Sequence, residues 1–146
     1  MPRLFVALEL PMAVRDVLLG YRGGVIGARW QNDEQLHLTL RFIGEVDRHQ
    51  AADIDAALAT VNVQPFALRL GDIGSFERRG RVDTLWVGVH PREAVAALAQ
   101  RVDTTLARVG IAPETRAFVP HITLARLGRG RQPASFGAGG AVRSGA

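Results

Sequence analysis

The chain contains no cysteine and no lysine. The first absence excludes disulfides, thiol nucleophiles and cysteine-ligated metals, and makes the cytoplasm the expected compartment. The second leaves arginine as the sole permanent cation: all 18 basic residues are arginine against 14 acidic ones, for a net charge of +4. Arginine's planar fork suits phosphate, but an arginine-only set is explained as simply by nucleotide bias in the genome. The positive excess is compatible with a polyanionic partner without establishing one. Long apolar runs are also missing. Leu4 to Leu10 is interrupted by Glu9 and followed by Pro11, too short to span a membrane and without a cleavage-site pattern. With 146 residues and 47% hydrophobic content, one domain or two small packed lobes is expected.

What the chain does contain is one tetrapeptide pattern used twice, His37-Leu38-Thr39-Leu40 and His121-Ile122-Thr123-Leu124. In a strand, residues two apart point to the same side, so each copy sets an imidazole and a hydroxyl side by side. A single His-x-Thr means little, because both residue types are tolerated in half-buried strands. Two copies change the chemistry available. One imidazole cannot take a proton and give one at the same instant, whereas two across a substrate can, with hydroxyls holding the group between them. That combination suits phosphoryl transfer.

The periodicity predicts a strand at Leu4 to Leu10 and a helix from Pro11 to about Tyr21. An edge segment at Ala28 to Gln31 and the first motif strand, His37 to Ile43, follow. A helix capped by Asp47 and Gln50 should reach about Val61, before a strand at Phe66 to Leu70. Residues 71 to 81 read as a basic loop with Arg78, Arg79 and Arg81, a candidate RNA contact or a solvated turn. Then come a strand at Thr84 to Val89, a helix from Pro91 to Val109 and the second motif strand at Val119 to Leu127. The order repeats: strand, proline-started helix, loop, motif strand, with Pro11 preceding His37 by 26 residues and Pro91 preceding His121 by 30. Two such halves related by an approximate twofold axis would bring both motifs to one cleft.

HLTLRFIG, PHITLAR, the opening RLFVALELP and TLWVGV together resemble the 2H phosphoesterase superfamily and, within it, the bacterial and archaeal RNA 2′,3′-cyclic phosphodiesterases once called 2′-5′ RNA ligases, or LigT-like proteins. The resemblance covers residues 3 to about 127. It implies an α+β bilobal fold with two antiparallel sheets around a central cleft, helices outside, and a pseudo-twofold repeat. It implies hydrolysis of an RNA-terminal 2′,3′-cyclic phosphate to a 2′-phosphate without cofactor or metal, with 2′-5′ ligation as a side activity. His37 is then the proton donor to the leaving oxygen, His121 the base for water, and Thr39 and Thr123 the phosphate-binding hydroxyls. The implied partner is an RNA or nucleotide bearing that cyclic phosphate, with no membrane and no obligate protein partner.

Two arginines are secondary candidates for phosphate contact. Arg41 shares the parity of His37 and Thr39, whereas Arg126 has the wrong parity beside His121 and Thr123 and needs a one-residue bend to reach the cleft. For both, a solvated strand-end arginine is an equal alternative. Trp30 and Trp86 read as core or cleft wall, and His49 and His90 lack motif partners. The resemblance also implies a further core strand after the second motif. Arg129 to Ala146 has no alternating apolar run, so residues 1 to 127 are expected as the catalytic domain and 128 to 146 as a disordered or truncated Gly/Ala/Arg-rich tail. A non-catalytic RNA-end binder or RNA-processing accessory is the competing reading, separated from the enzyme by turnover.

Overall fold

The computed structural model describes residues 1–128, so the expected tail, apart from Gly128, lies outside the described residues. The elements in order are β1 (Arg3–Glu9), α1 (Met12–Leu19), β2 (Ala28–Trp30), a 3₁₀ turn (Asp33–Gln35), β3 (His37–Glu45), α2 (Arg48–Leu58), β4 (Arg69–Arg78), β5 (Arg81–His90), α3 (Arg92–Ala107) and β6 (His121–Leu127). This is a mixed α+β chain. The Asp47 capping box forms as its residues dictate: the Asp47 carboxylate accepts from the Gln50 N–H at 2.8 Å, and the Gln50 side-chain oxygen accepts from the Asp47 N–H at 3.2 Å. Among the described residues no helix is long and apolar enough to cross a membrane.

The glycine-rich stretch expected as a loop is instead mostly strand, and the strand expected at Phe66 to Leu70 begins only at Arg69. Gly74 looks like a breaker but lies opposite Trp86 within the β4–β5 pair, where a Cβ would come within 2.4 Å of the indole. The glycine is there so that a ring can lie against backbone. The turn itself is only Arg79 and Gly80, whose φ values of 54° and 76° suit the twist of a two-residue hairpin.

All strand pairs are antiparallel, in the order β1-β3-β6-β5-β4, with β2 also pairing β6. Where two sheets were expected, the hydrogen bonds form one. Its two halves meet at a single residue pair, Leu38 opposite Ile122. Both side chains are fully buried in the core with Val87, Val89 and the α3 stripe Val95, Leu98, Val102 and Leu106. That pair fixes which side of each motif strand belongs to the core.

Candidate active site

Because Leu38 and Ile122 point together into the core, their neighbours His37, Thr39, His121 and Thr123 point to the opposite side of the sheet. Antiparallel pairing continued one residue either way sets His37 towards Thr123 and Thr39 towards His121. Thr39 and His121 line one cavity of about 200 Å³, where β3 and the segment entering β6 part company above α3.

Each motif strand carries an irregularity at the same place. On β3, Thr39 lies opposite Ala7 and Arg41 opposite Val6, so Leu40 has no partner on β1. On β6, Thr123 lies opposite Trp86 and Ala125 opposite Leu85, so Leu124 is the extra residue. These are bulges, and each reverses the alternation beyond it. The Leu124 carbonyl, out of the β5 ladder, accepts from the Gln31 N–H at 2.8 Å.

The bulges exchange the positions of the two arginines. Arg126, of the wrong parity by counting, lies opposite Thr84 and joins the His121 and Thr123 side, its guanidinium 3.5 Å from the Thr84 hydroxyl. Arg41, of the right parity, turns away. It pairs with Asp103 of α3, donates to the Ala112 carbonyl at 2.7 Å and lies 3.8 Å from the Glu114 carboxylate, with only 9% of its side chain exposed. Its donors are committed to holding β3 against α3 and the segment before β6.

The two histidines differ in their surroundings. The Nδ1 of His121 lies 2.7 Å from the Val119 carbonyl, which can only accept. The ring proton of the neutral imidazole is therefore on Nδ1, and Nε2 keeps its lone pair. Burial lowers the His121 pKa first, the Val119 carbonyl works against this, and the nearby Arg126 cation lowers it further. His37 is less buried. Burial also lowers its pKa, opposed by a hydrogen bond to the Glu34 carbonyl, with no cation contributing. A phosphodiester anion between the rings would favour the protonated form of either.

Thr123 is 5% exposed, and its hydroxyl has no hydrogen-bond partner among the described residues. A buried hydroxyl left without a partner costs on the order of 1–3 kcal/mol, which a ligand oxygen would recover. Trp86, read from sequence as core or cleft wall, lies at the His121 ring, while the contacts of Phe76 and Phe5 with the two histidines were missed. Phe76 meets the His121 ring edge-on at 4.9 Å, Trp86 lies 6.0 Å from it, and Phe5 stacks on His37 at 4.8 Å. Strand parity could have placed Phe76 on that side, once residues 71 to 78 are read as strand. Among the described residues no group of three His, Cys, Asp or Glu side chains could hold a metal ion.

A family model described as the 2′-5′ RNA ligase superfamily matches residues 26–136. The chain is 40% identical over 96 residues to an RNA 2′,3′-cyclic phosphodiesterase of Aeropyrum pernix, covering 65% of this chain and 54% of that one. It is 32% identical over 130 residues to the protein of the same name from Archaeoglobus fulgidus, covering 87% and 73%. The chain thus spans little more than half the length of the first relative and about three quarters of the second. Its structure is similar to that of Escherichia coli LigT crystallised with 3′-AMP, with a TM-score of 0.74, 29% identity, and coverage of 92% and 76%.

Proposed function

The chain belongs to the 2′-5′ RNA ligase superfamily, and from that premise we propose that it hydrolyses an RNA-terminal 2′,3′-cyclic phosphate to a 2′-phosphomonoester by paired histidine acid–base catalysis. The observation that carries the division of labour is the Arg126 cation beside the more deeply buried His121. Each ring donates to a backbone carbonyl, but only at His121 does a cation join burial in favouring the neutral form, which is the form a general base needs.

The reaction adds water across the P–O3′ bond. A water oxygen attacks phosphorus in line with O3′ while its proton passes to His121 Nε2. The P–O3′ bond breaks, and O3′ takes a proton from His37, whose ring is more open to solvent and lies beyond the influence that Arg126 has on His121. The products are a 2′-phosphate and a free 3′-hydroxyl. His121 ends protonated and His37 neutral, and exchange with solvent restores both. Thr39, Thr123 and Arg126 bear on the non-bridging oxygens, where charge accumulates. Arg41 is a positioning residue in this scheme, because its donors are already engaged. Imidazoles, hydroxyls and one guanidinium supply every element of the step, so we assign no metal to it. The symmetric bulges and the equivalent pairings of β1 with β3 and β5 with β6 support the reading of two related halves meeting at a cleft.

An oligoribonucleotide ending in a 2′,3′-cyclic phosphate tests this. Wild type should open the ring in EDTA to give the 2′-phosphate, and His37→Ala and His121→Ala should each lose roughly 10²- to 10⁴-fold. Full activity in both variants, or binding without ring opening by wild type, would reject the catalytic reading.

A further inference from the structure

The hairpin that closes β4 and β5 carries Arg78, Arg79 and Arg81 within four residues, and nothing in the proposed reaction uses them. Their placement follows from register. On β4, Gly74, Phe76 and Arg78 alternate onto one side of the sheet, and Phe76 is the ring that touches His121. On β5, Phe76 pairs with Thr84 and Glu77 with Val82, so Asp83 is a bulged residue and Arg81, opposite Arg78, returns to the side of Thr84 and Trp86. Val82, which packs against the core, marks the other side. Arg78 and Arg81 therefore share one side of the sheet with Arg126, Thr123 and His121.

Arg78 and Arg81 stand directly opposite each other, a like-charge pairing that works against the hairpin. All three hairpin arginines are exposed, and none forms an ion pair with a carboxylate of the described residues. Asp83, the acid that lines the same cavity, accepts from the Thr84 hydroxyl at 2.9 Å. The three arginines line a cavity of about 560 Å³ at the end of the sheet with Asp83 and Gly128, and its floor is Val82 and Leu127 of the core side. From Gly88, which lies opposite His121, to Arg81 is seven residues of β5, or about 23 Å at the ~3.3 Å rise of a strand.

We propose that this hairpin tip is a second anchor, gripping the backbone phosphates of the RNA body while its cyclic-phosphate end lies between the histidines. The inference rests on the proposed phosphodiesterase reading and deepens it: the RNA body upstream of the cyclic phosphate is held at a place in the fold that the reaction itself does not use. Arg78 and Arg81 on the side that carries Arg126 and His121, with Arg79 at the turn between them and no carboxylate of the described residues paired to any of the three, offer a charge-complementary path for a polyanion already fixed at one end. Fixing one end makes the second contact intramolecular. The contact is to phosphate and carries no base preference.

The test compares wild type with an Arg78→Gln/Arg79→Asn/Arg81→Gln variant, in which asparagine keeps a residue tolerant of the left-handed turn. Substrates are a cyclic-phosphate mononucleotide and a ten-residue oligoribonucleotide with the same terminus, over a salt series. The variant should lose at least tenfold in kcat/KM on the oligomer and nothing on the mononucleotide. Its salt slope on the oligomer should be shallower by about 2, since each single-strand phosphate contact contributes ~0.7. Equal efficiency of wild type and variant on the oligomer would overturn the anchor, as would an equal loss on both substrates. Should wild type hydrolyse neither substrate, the catalytic reading fails on its own. Filter binding of the uncleaved oligomer then decides the anchor, which predicts weaker and less salt-sensitive binding by the variant and is refuted by unchanged binding. Removing the opposed charges should leave thermal stability equal or higher, and Arg78→Gln alone provides the same binding readout with the turn untouched.

Discussion

The Nδ1–H of His121 donates to the carbonyl of Val119, two residues earlier in the chain, at 2.7 Å. The segment that leads into β6 thus sets the protonation pattern of the ring before any substrate arrives. Burial and the Arg126 cation then favour the neutral ring.

A depressed pKa fixes a sign for the pH dependence. A base that binds its proton less tightly than free imidazole, near ~6.5, stays active to lower pH, so the acid limb of kcat/KM should fall below that value. Arg126→Gln removes a neighbouring cation and should move the same limb upward, apart from any loss in overall rate. A pH–rate profile of the two proteins checks both; a limb that Arg126→Gln moves downward would contradict the cause given for the shift.

Thr123→Val separates function from stability. The hydroxyl is buried and unpartnered, so its removal at constant shape should leave unfolding free energy unchanged or raised by up to about 1–3 kcal/mol. Loss of a donor aimed at a charged oxygen should lower kcat by roughly 10²-fold. Urea unfolding beside steady-state kinetics is the measurement, and a variant that is both less stable and fully active would refute the assignment.

Arg41 and Asp103 should behave as one unit. Removing one partner of a buried pair costs on the order of 3–5 kcal/mol, and the 17% exposure of Asp103 puts this pair at the lower end. Arg41→Ala and Asp103→Ala should each destabilise by about 3 kcal/mol, and the double variant by much less than their sum. Additive losses in a double-mutant cycle would show that the two act separately.

Much of this site was legible because strand alternation is a local rule. His37 and Thr39, and His121 and Thr123, are two residues apart with no irregularity between them, so their shared side follows from the sequence. Arg41 and Arg126 lie beyond a bulge at Leu40 and Leu124, and a bulge depends on what the partner strand offers. Counting therefore favoured the arginine that turns away and disfavoured the one that joins the cleft. Gly74 misled in the same way. Its glycine answers to Trp86 on the neighbouring strand and not to a turn, so residues 71 to 78 read as loop until that contact is seen. The single joining pair, Leu38 with Ile122, is equally invisible along the chain, since two halves that repeat predict a meeting place without saying how many hydrogen bonds make it.

The division of labour between the histidines is tested most directly with a substrate whose leaving 3′ oxygen is replaced by sulfur. A thiol leaves with a pKa near ~8.5 and needs little protonation, so it removes the demand for a general acid while leaving the demand for a base. The comparison is of kcat/KM for His37→Ala and His121→Ala on the 3′-oxygen and 3′-sulfur cyclic phosphates, each relative to wild type. The account predicts that His37→Ala recovers most of its loss on the sulfur substrate while His121→Ala stays as impaired as on the oxygen one. Recovery of His121→Ala with no recovery of His37→Ala would contradict it.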